Sequence, residues 1–217
     1  MKRLLRAAVV LCALILGGCG EDHHDFFVSS PSATLILSDS AIDGDIAQTS
    51  PGVFTVTQGM SPTVQSVFAG INPVSLVEFR AFLDFPLVNV PVSAVIASAT
   101  LDIVINSVQP TTGTVPLRID LVSFLSPLVG TDFDRTILLP LASIAVPQPI
   151  SQLDVNRHVF IDVTTLMAQA QLQVPPLTNF QIRIWEDPAG APGLIEINDT
   201  TGANRSQLAP LLNVSFF

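Results

Sequence analysis

The residues best suited to hold a ligand lie in one predicted strand near the C-terminal end. Trp185 is the only tryptophan of the chain, and it stands out of phase with the apolar residues before it. An outward indole beside Arg183 and Glu186 could stack on a sugar ring while the charged groups bond to its hydroxyls. Trp185, Arg183 and Glu186 are therefore the candidate residues of a carbohydrate site. We favour the alternative, in which both faces of the strand are covered and Trp185 is a packing residue, and the absence of tyrosine supports it.

A run of carboxylates nearer the N-terminus offers a second chemistry. Asp39, Asp43 and Asp45 surround a glycine in a predicted turn. Oxygen ligands at such spacing suit calcium, the one cofactor that the sequence suggests. The run lacks the complete calcium-loop pattern and its terminal glutamate, so an ordinary acidic turn is the alternative.

The histidines give little support for metal or acid–base chemistry. His23 and His24 lie among the acids of residues 21–25, but adjacent histidines project differently and a short polar segment offers nothing to fix them. We interpret this segment as a solvated spacer. His158, the only histidine of the predicted domain, follows Arg157 at the start of a strand, where a structural or surface role is expected.

No catalytic constellation is recognisable. The chain has no G-x-S-x-G elbow for a serine hydrolase and no pair of histidines at zinc spacing. Two of the eighteen acids could still converge as in a glycoside hydrolase. Four acids fall on strand faces opposite the predicted core, where we expect a solvated surface: Glu78, Asp84, Asp102 and Asp120. We therefore predict that the protein is not an enzyme.

The N-terminus carries the strongest motif of the chain. Basic residues stand at positions 2, 3 and 6, an apolar run follows over 7–16, and the sequence LGGC ends at Cys19. This order resembles the lipobox of bacterial lipoproteins. The resemblance implies that residues 1–18 are a cleaved signal peptide, that Cys19 is lipidated, and that Gly20 directs the protein to the outer membrane. An ordinary signal peptide or a short membrane anchor is the alternative.

Removal of this leader would change the charge and the cysteine inventory. Six basic and eighteen acidic residues remain, a formal charge of −12, which repels nucleic acid and anionic head groups. Of the two cysteines, Cys12 is lost with the leader and Cys19 bears lipid, so no disulfide can form. A hydrophobic content of 48% must then stabilise the core through burial alone.

The remaining residues are patterned as short strands. Apolar and polar residues alternate over 77–85 and again over 99–106, and seventeen prolines and twelve glycines separate such runs. About nine or ten strands and one short helix over 165–172 are expected. We predict a tether over residues 19–32 and, over residues 33–217, an all-β domain: a two-sheet antiparallel jelly-roll-like sandwich.

Four motifs in this order resemble a known family. They are RAFLDF at 80–85, IASATL at 96–101, DVT at 162–164 before the helix, and PLLNV at 210–214. Their succession is similar to the DNRLRE-type extracellular jelly-roll domains, which are akin to carbohydrate-binding modules. The resemblance implies a sandwich of eight or more strands with the short helix capping one end, and no single activity.

These observations favour a membrane-anchored, non-catalytic lipoprotein with an adhesive, carbohydrate-binding or envelope-structural role. Its expected partners are the membrane, through the lipid anchor, and a glycan or an envelope protein. A first alternative is an assembly subunit that docks a partner on uneven apolar faces at Phe82, Val104 and Val122. A second is an envelope hydrolase that uses carboxylates.

Overall fold

The computed structural model describes residues 30–110, 112–188 and 190–217, and these form an antiparallel β-sandwich. The helices there are α1 (Thr164–Gln171) and the four-residue α2 (Arg205–Leu208), with 3₁₀ turns at Gly130–Phe133 and Gln152–Asp154. The all-β fold with one short helix of two turns is confirmed. The strands are β1 Ser32–Leu37, β2 Gly44–Ser50, β3 Val53–Gln58, β4 Ser66–Ile71, β5 Glu78–Pro86, β6 Ile96–Gln109, β7 Thr114–Val115, β8 Leu117–Val122, β9 Ala142–Ala145, β10 Ile150–Ser151, β11 His158–Asp162, β12 Asn179–Glu186, β13 Leu194–Asn198 and β14 Leu211–Phe216.

Twelve of the strands form two layers that share one core, while β7 and β10 pair with each other in a separate two-stranded sheet. The first layer contains β1, β14, β6 and β11, and the second runs β3-β2-β5-β12-β8-β9. β13 and β4 connect them, because β13 pairs with both β6 and β4, while β4 pairs with the start of β5. The fourteen-residue β6 pairs with β14 in its first half and with β13 in its second. A long strand that changes partner in this way curls the sheet around the interior.

Alternate side chains of the central strands fill this interior. Burying each large apolar side chain stabilises the fold by about 1.5–3 kcal/mol. The core side chains that the second layer supplies are fully buried: Ala81, Leu83 and Phe85 from β5, Phe180, Ile182 and Ile184 from β12, and Ile119 and Leu121 from β8. Leu101 and Ile103 of β6 and Leu212 and Val214 of β14 meet them from the first layer.

The connection between β8 and β9, residues 123–141, covers the outer face of the second layer. It packs Phe124, Leu128 and Phe133 onto Phe82 and Val122 in a second apolar cluster. Our prediction that the acids opposite the core are solvated is therefore wrong for two of them, since Asp84 and Asp120 are buried. The three apolar residues proposed for docking, Phe82, Val104 and Val122, are buried too and offer no surface to a partner.

The N-terminal third differs most from the expectation. The turn predicted over 39–45 ends two residues earlier, because β2 begins at Gly44 and pairs with both β3 and β5. Glycine is needed here, since a Cβ at Gly44 would collide with the carbonyl oxygen of Thr57. In the C-terminal half, α1 starts at Thr164, one residue before the predicted start at 165. The hydroxyl of Thr164 accepts a hydrogen bond from the Ala99 amide at 2.9 Å.

Within the described ranges, the helices are all too short or too polar to cross a bilayer.

Candidate functional site

Four of the six arginines beyond the leader gather on the outer face of the second layer. β5 supplies Arg80, β8 supplies Arg118, β12 supplies Arg183, and the β8–β9 connection supplies Arg135. Strand register brings them together around Trp185, which lies opposite Arg118. The guanidinium carbons of Arg135, Arg80 and Arg118 lie 4.4, 5.5 and 6.0 Å from the indole ring centre. We call these four arginines and Trp185 the arginine–tryptophan cluster.

A buried carboxylate holds this cluster in place. Asp120 and Arg183 are both fully buried, and Arg183 Nη2 lies 2.9 Å from Asp120 Oδ2. Arg135 Nε donates to the same oxygen at 2.9 Å, and the Ser143 hydroxyl donates to Oδ1. Burial by itself would raise the pKa of Asp120, but hydrogen bonds from Ser143, Arg183 and Arg135 hold it below its usual value. Asp120 therefore stays ionised between two guanidinium groups.

The sugar site predicted at Trp185, Arg183 and Glu186 does not form as a platform. The side chain of Trp185 is only 7% exposed, beneath the arginines, so no sugar ring can stack on it. Arg183 is committed to Asp120 and to the carbonyl oxygen of Asp132. Glu186 is buried and accepts hydrogen bonds from the amides of Ile71 and Gly193. Burial raises the pKa of Glu186, and these bonds give it a structural role.

The calcium set Asp39, Asp43 and Asp45 is also dispersed. Asp43 Oδ1 accepts from the Asp84 amide at 2.8 Å, Asp45 Oδ2 from the Phe68 amide at 3.2 Å, and Asp39 Oδ1 from an amide of its own turn. Burial raises the pKa of Asp45 to about 7. Across the residues that the structure describes, no three His, Cys, Asp or Glu side chains are placed to hold a metal ion.

One carboxyl pair was not foreseen. Asp43 and Asp199 come together although 156 residues separate them, and both are fully buried. Burial, together with the charge of Asp199, raises the pKa of Asp43 well above its usual value. Arg205 Nη1 lies 2.7 Å from Asp199 and supplies the neighbouring positive charge. Only a knowledge of the sheet topology could have paired residues so distant in sequence.

An open cleft lies beside the arginine–tryptophan cluster. It has a volume of about 270 Å³ and opens between β2, β3, β5 and the β8–β9 connection. We call it the arginine-lined cleft, and its walls are Gln48, Phe54, Arg80, Phe133, Asp134 and Arg135.

The walls of this cleft combine aromatic and polar groups. The Phe54 and Phe133 rings lie 5.3 Å apart, and the Arg80 guanidinium sits 4.0 Å above the Phe133 ring. Arg80 donates to Glu78 and to the carbonyl oxygen of Phe133. Arg135 donates to Asp120 through Nε and Nη2, and its Nη1 has no acceptor among the described residues. The cleft thus retains a free guanidinium edge beside apolar ring surface.

The cleft wall also includes a carboxylate, Asp134, beside the amide of Gln48. Asp134 is half-buried, and hydrogen bonds from the amide and hydroxyl of Thr136 hold its pKa below the usual range. An ionised carboxylate can accept hydrogen bonds from ligand hydroxyls but is poorly suited to donate a proton. Arg135, Phe133 and Asp134 all belong to the β8–β9 connection, whose sequence does not alternate, so alternation could place only Arg80 in advance.

His158 lies apart from this cleft. Its Nδ1 is 2.9 Å from Asp102, and its ring stacks on Phe160 at 6.1 Å. Cys19, His23 and His24 lie outside the described residues.

Comparison with protein-family models and with curated proteins finds no match to this chain.

Proposed function

We propose that the protein is a non-catalytic β-sandwich lipoprotein of the bacterial envelope, anchored to the outer membrane through Cys19, that binds saccharide in the arginine-lined cleft. The anchoring is supported by the leader, in which basic residues, apolar run and LGGC follow one another. Two acyl signals suffice for stable anchoring, and a fully acylated lipoprotein cysteine provides three chains. The role that this supports is adhesive or structural, at the cell surface or within the envelope.

The observation that carries saccharide binding is the composition of the cleft. Saccharides are bound by aromatic surface against their apolar faces and by planar polar side chains against their hydroxyls. Phe54 and Phe133 offer the aromatic surface, and the planar polar groups are those of Gln48, Arg135 and Asp134. The free Nη1 of Arg135 can donate to a hydroxyl or to the carboxylate of a uronic sugar.

A non-catalytic role is supported by where the perturbed acids lie. The carboxyl groups with a raised pKa are Asp43, Asp45, Asp84 and Glu186. All four are buried and outside the cleft walls. The one acid in the cleft, Asp134, has its pKa shifted in the opposite direction. Hydrolysis by paired carboxylates needs an acid of raised pKa in contact with substrate.

Anchoring can be tested with a cysteine substitution. Cys19→Ser in the full chain is expected to abolish incorporation of labelled palmitate, because the acylated thiol is lost. The matched control is Cys12→Ser, which changes the other cysteine of the chain but leaves the lipobox intact. Membrane fractionation with mass spectrometry of the N-terminal peptide measures both. Equal palmitate incorporation in both variants would contradict anchoring at Cys19.

Saccharide binding can be tested at Arg135. Retention of the protein on an immobilised uronate polymer or neutral glucan is expected in affinity electrophoresis. Arg135→Met removes the free guanidinium edge and is expected to weaken binding by roughly ten- to a hundredfold, the range for one charge-assisted hydrogen bond. Arg157→Met, at an exposed arginine outside the cleft, should leave retention unchanged. No retention on either polymer, or equal retention of both variants, would contradict the proposal.

A further inference from the structure

One end of the sandwich is built from chain without charged side chains. No Asp, Glu, Lys or Arg occurs over residues 85–101, 163–182 or 206–217, in a chain with eighteen acids. These stretches contain the β5–β6 connection, α1 with the α1–β12 connection, and β14. They meet in space: the Leu87 amide donates to the carbonyl oxygen of Thr178, and Val95 and Phe217 exchange both backbone hydrogen bonds.

This end exposes large apolar side chains instead. A groove of about 360 Å³ runs between residues 92–96 and α1 and has mainly apolar walls. Six side chains from these stretches are each more than half exposed, and we call them the aliphatic end surface: Val88, Val92, Val95, Leu172, Val174 and Phe217. Grouped exposed apolar residues of this kind are typical of a surface that a partner covers.

The N-terminal part of the chain joins the domain at the same end. Ser32, the first residue of β1, lies opposite Phe216, which precedes Phe217 of the aliphatic end surface. Thirteen residues lead from Cys19 to Ser32, a reach of at most about 45 Å when extended. An anchor at Cys19 therefore tethers the domain by the end that lacks charge.

We infer that the aliphatic end surface docks on the lipid bilayer, an inference that rests on the proposed anchoring at Cys19. A bilayer suits this surface because transfer of apolar side chains from water into the interfacial region is favourable. A carboxylate near the surface would oppose this transfer. The opposite end of the same strands carries the charges. Glu78 begins β5, and Glu186 ends β12 about 23 Å from its first residue. The molecule is thus polarised along its strands, with the uncharged end next to the tether.

The test uses the full chain, lipidated and reconstituted into phosphatidylcholine vesicles. The mature protein has no other free thiol once Cys19 is acylated, so a single introduced cysteine can carry an environment-sensitive fluorophore. Val92→Cys places the probe on the aliphatic end surface. Val74→Cys, at an even more exposed valine before β5 at the opposite end, is the matched control. We expect a blue-shifted emission and loss of quenching by aqueous iodide at position 92, and a fully quenchable probe at position 74.

A charged substitution on the aliphatic end surface tests whether its apolar character causes the shielding. Leu172→Asp puts a charge on this surface without touching the core, because Leu172 is exposed. It is expected to restore iodide quenching of the probe at position 92.

The outcomes separate docking from anchoring. An acylated chain whose two probes are equally quenched would overturn docking alone. A chain shown by mass spectrometry to lack acyl groups would overturn the anchoring and this inference with it. Shielding of position 92 without lipid that grows with protein concentration would indicate a second copy as the occupant and would also overturn the inference.

Discussion

Replacing Asp45 with asparagine is expected to stabilise the protein at pH 8 and to change little at pH 4. Asp45 is 3% exposed, and burial raises its pKa from about 4 in an unfolded chain to about 7. The folded state therefore favours the neutral acid. The stability that this group contributes is complete below pH 4, falls as the pH rises, and is lost above pH 7.

The size of the effect follows from the shift. One pKa unit corresponds to about 1.4 kcal/mol, so the wild type loses up to about 4 kcal/mol from this group between pH 4 and pH 8. Asparagine stays neutral, and its amide oxygen can still accept from the Phe68 amide. Urea unfolding at both pH values measures the difference.

Asp162 provides a control for which the pH dependence of stability has the opposite sign. Hydrogen bonds from Thr164 lower the pKa of this exposed carboxyl, so its contribution is present at neutral pH and is lost as the solution becomes acidic. Asp162→Asn should therefore lower the free energy of unfolding at pH 8. The slope of that free energy against pH should remain as in wild type between pH 5 and pH 8. If Asp45→Asn had the same pH profile as wild type, Asp45 would have to be ionised in the folded protein.

Removing the carboxylate of Asp120 is expected to be the most damaging single change on the outer face of the second layer. Asp120→Asn leaves Arg183 fully buried, with only the carbonyl oxygen of Asp132 as a strong acceptor. A buried charge deprived of its partner costs about 3–5 kcal/mol. Equilibrium unfolding in urea gives the value directly.

A double variant tests whether the unpaired charge of Arg183 causes this loss of stability. Asp120→Asn with Arg183→Met removes both charges and should recover much of the loss, because an apolar side chain of similar length fills the same space. Arg118→Met, which breaks a partly exposed pair with Asp187, should cost less than about 1 kcal/mol. If the double variant were as unstable as the sum of its single changes, the damage would come from packing and not from the isolated charge.

Alternation was enough to predict the central strands. In β5, β6 and β12 one face meets the common core, so apolar residues recur at every second position and reveal the strand. β2 carries no such signal, because polar Asp45, Gln48 and Thr49 occupy it and β5 and β3 cover its edges. Its existence depends on partners distant in sequence.

The site was less predictable than the fold, for a related reason. Residues 123–141 have no period because they form a connection whose phenylalanines pack individually onto the outer face of the second layer. That covering buries Trp185 and also Asp120, which alternation had placed in solvent, and it brings Arg135 and Phe133 to the cleft. The identity of a strand face follows from local pattern, but what covers the face depends on another part of the chain.

The pairing of β1 with β14 has a consequence for the order of folding. These strands lie far apart in the sequence, with Ser32 beside Phe216, so the first layer cannot be completed until β14 is present. Contacts this distant in sequence form slowly. In a chain exported N-terminus first, as the proposed leader would require, β1 would stay unpaired until β14 had also crossed the inner membrane. The domain would then complete its fold only on the far side of that membrane.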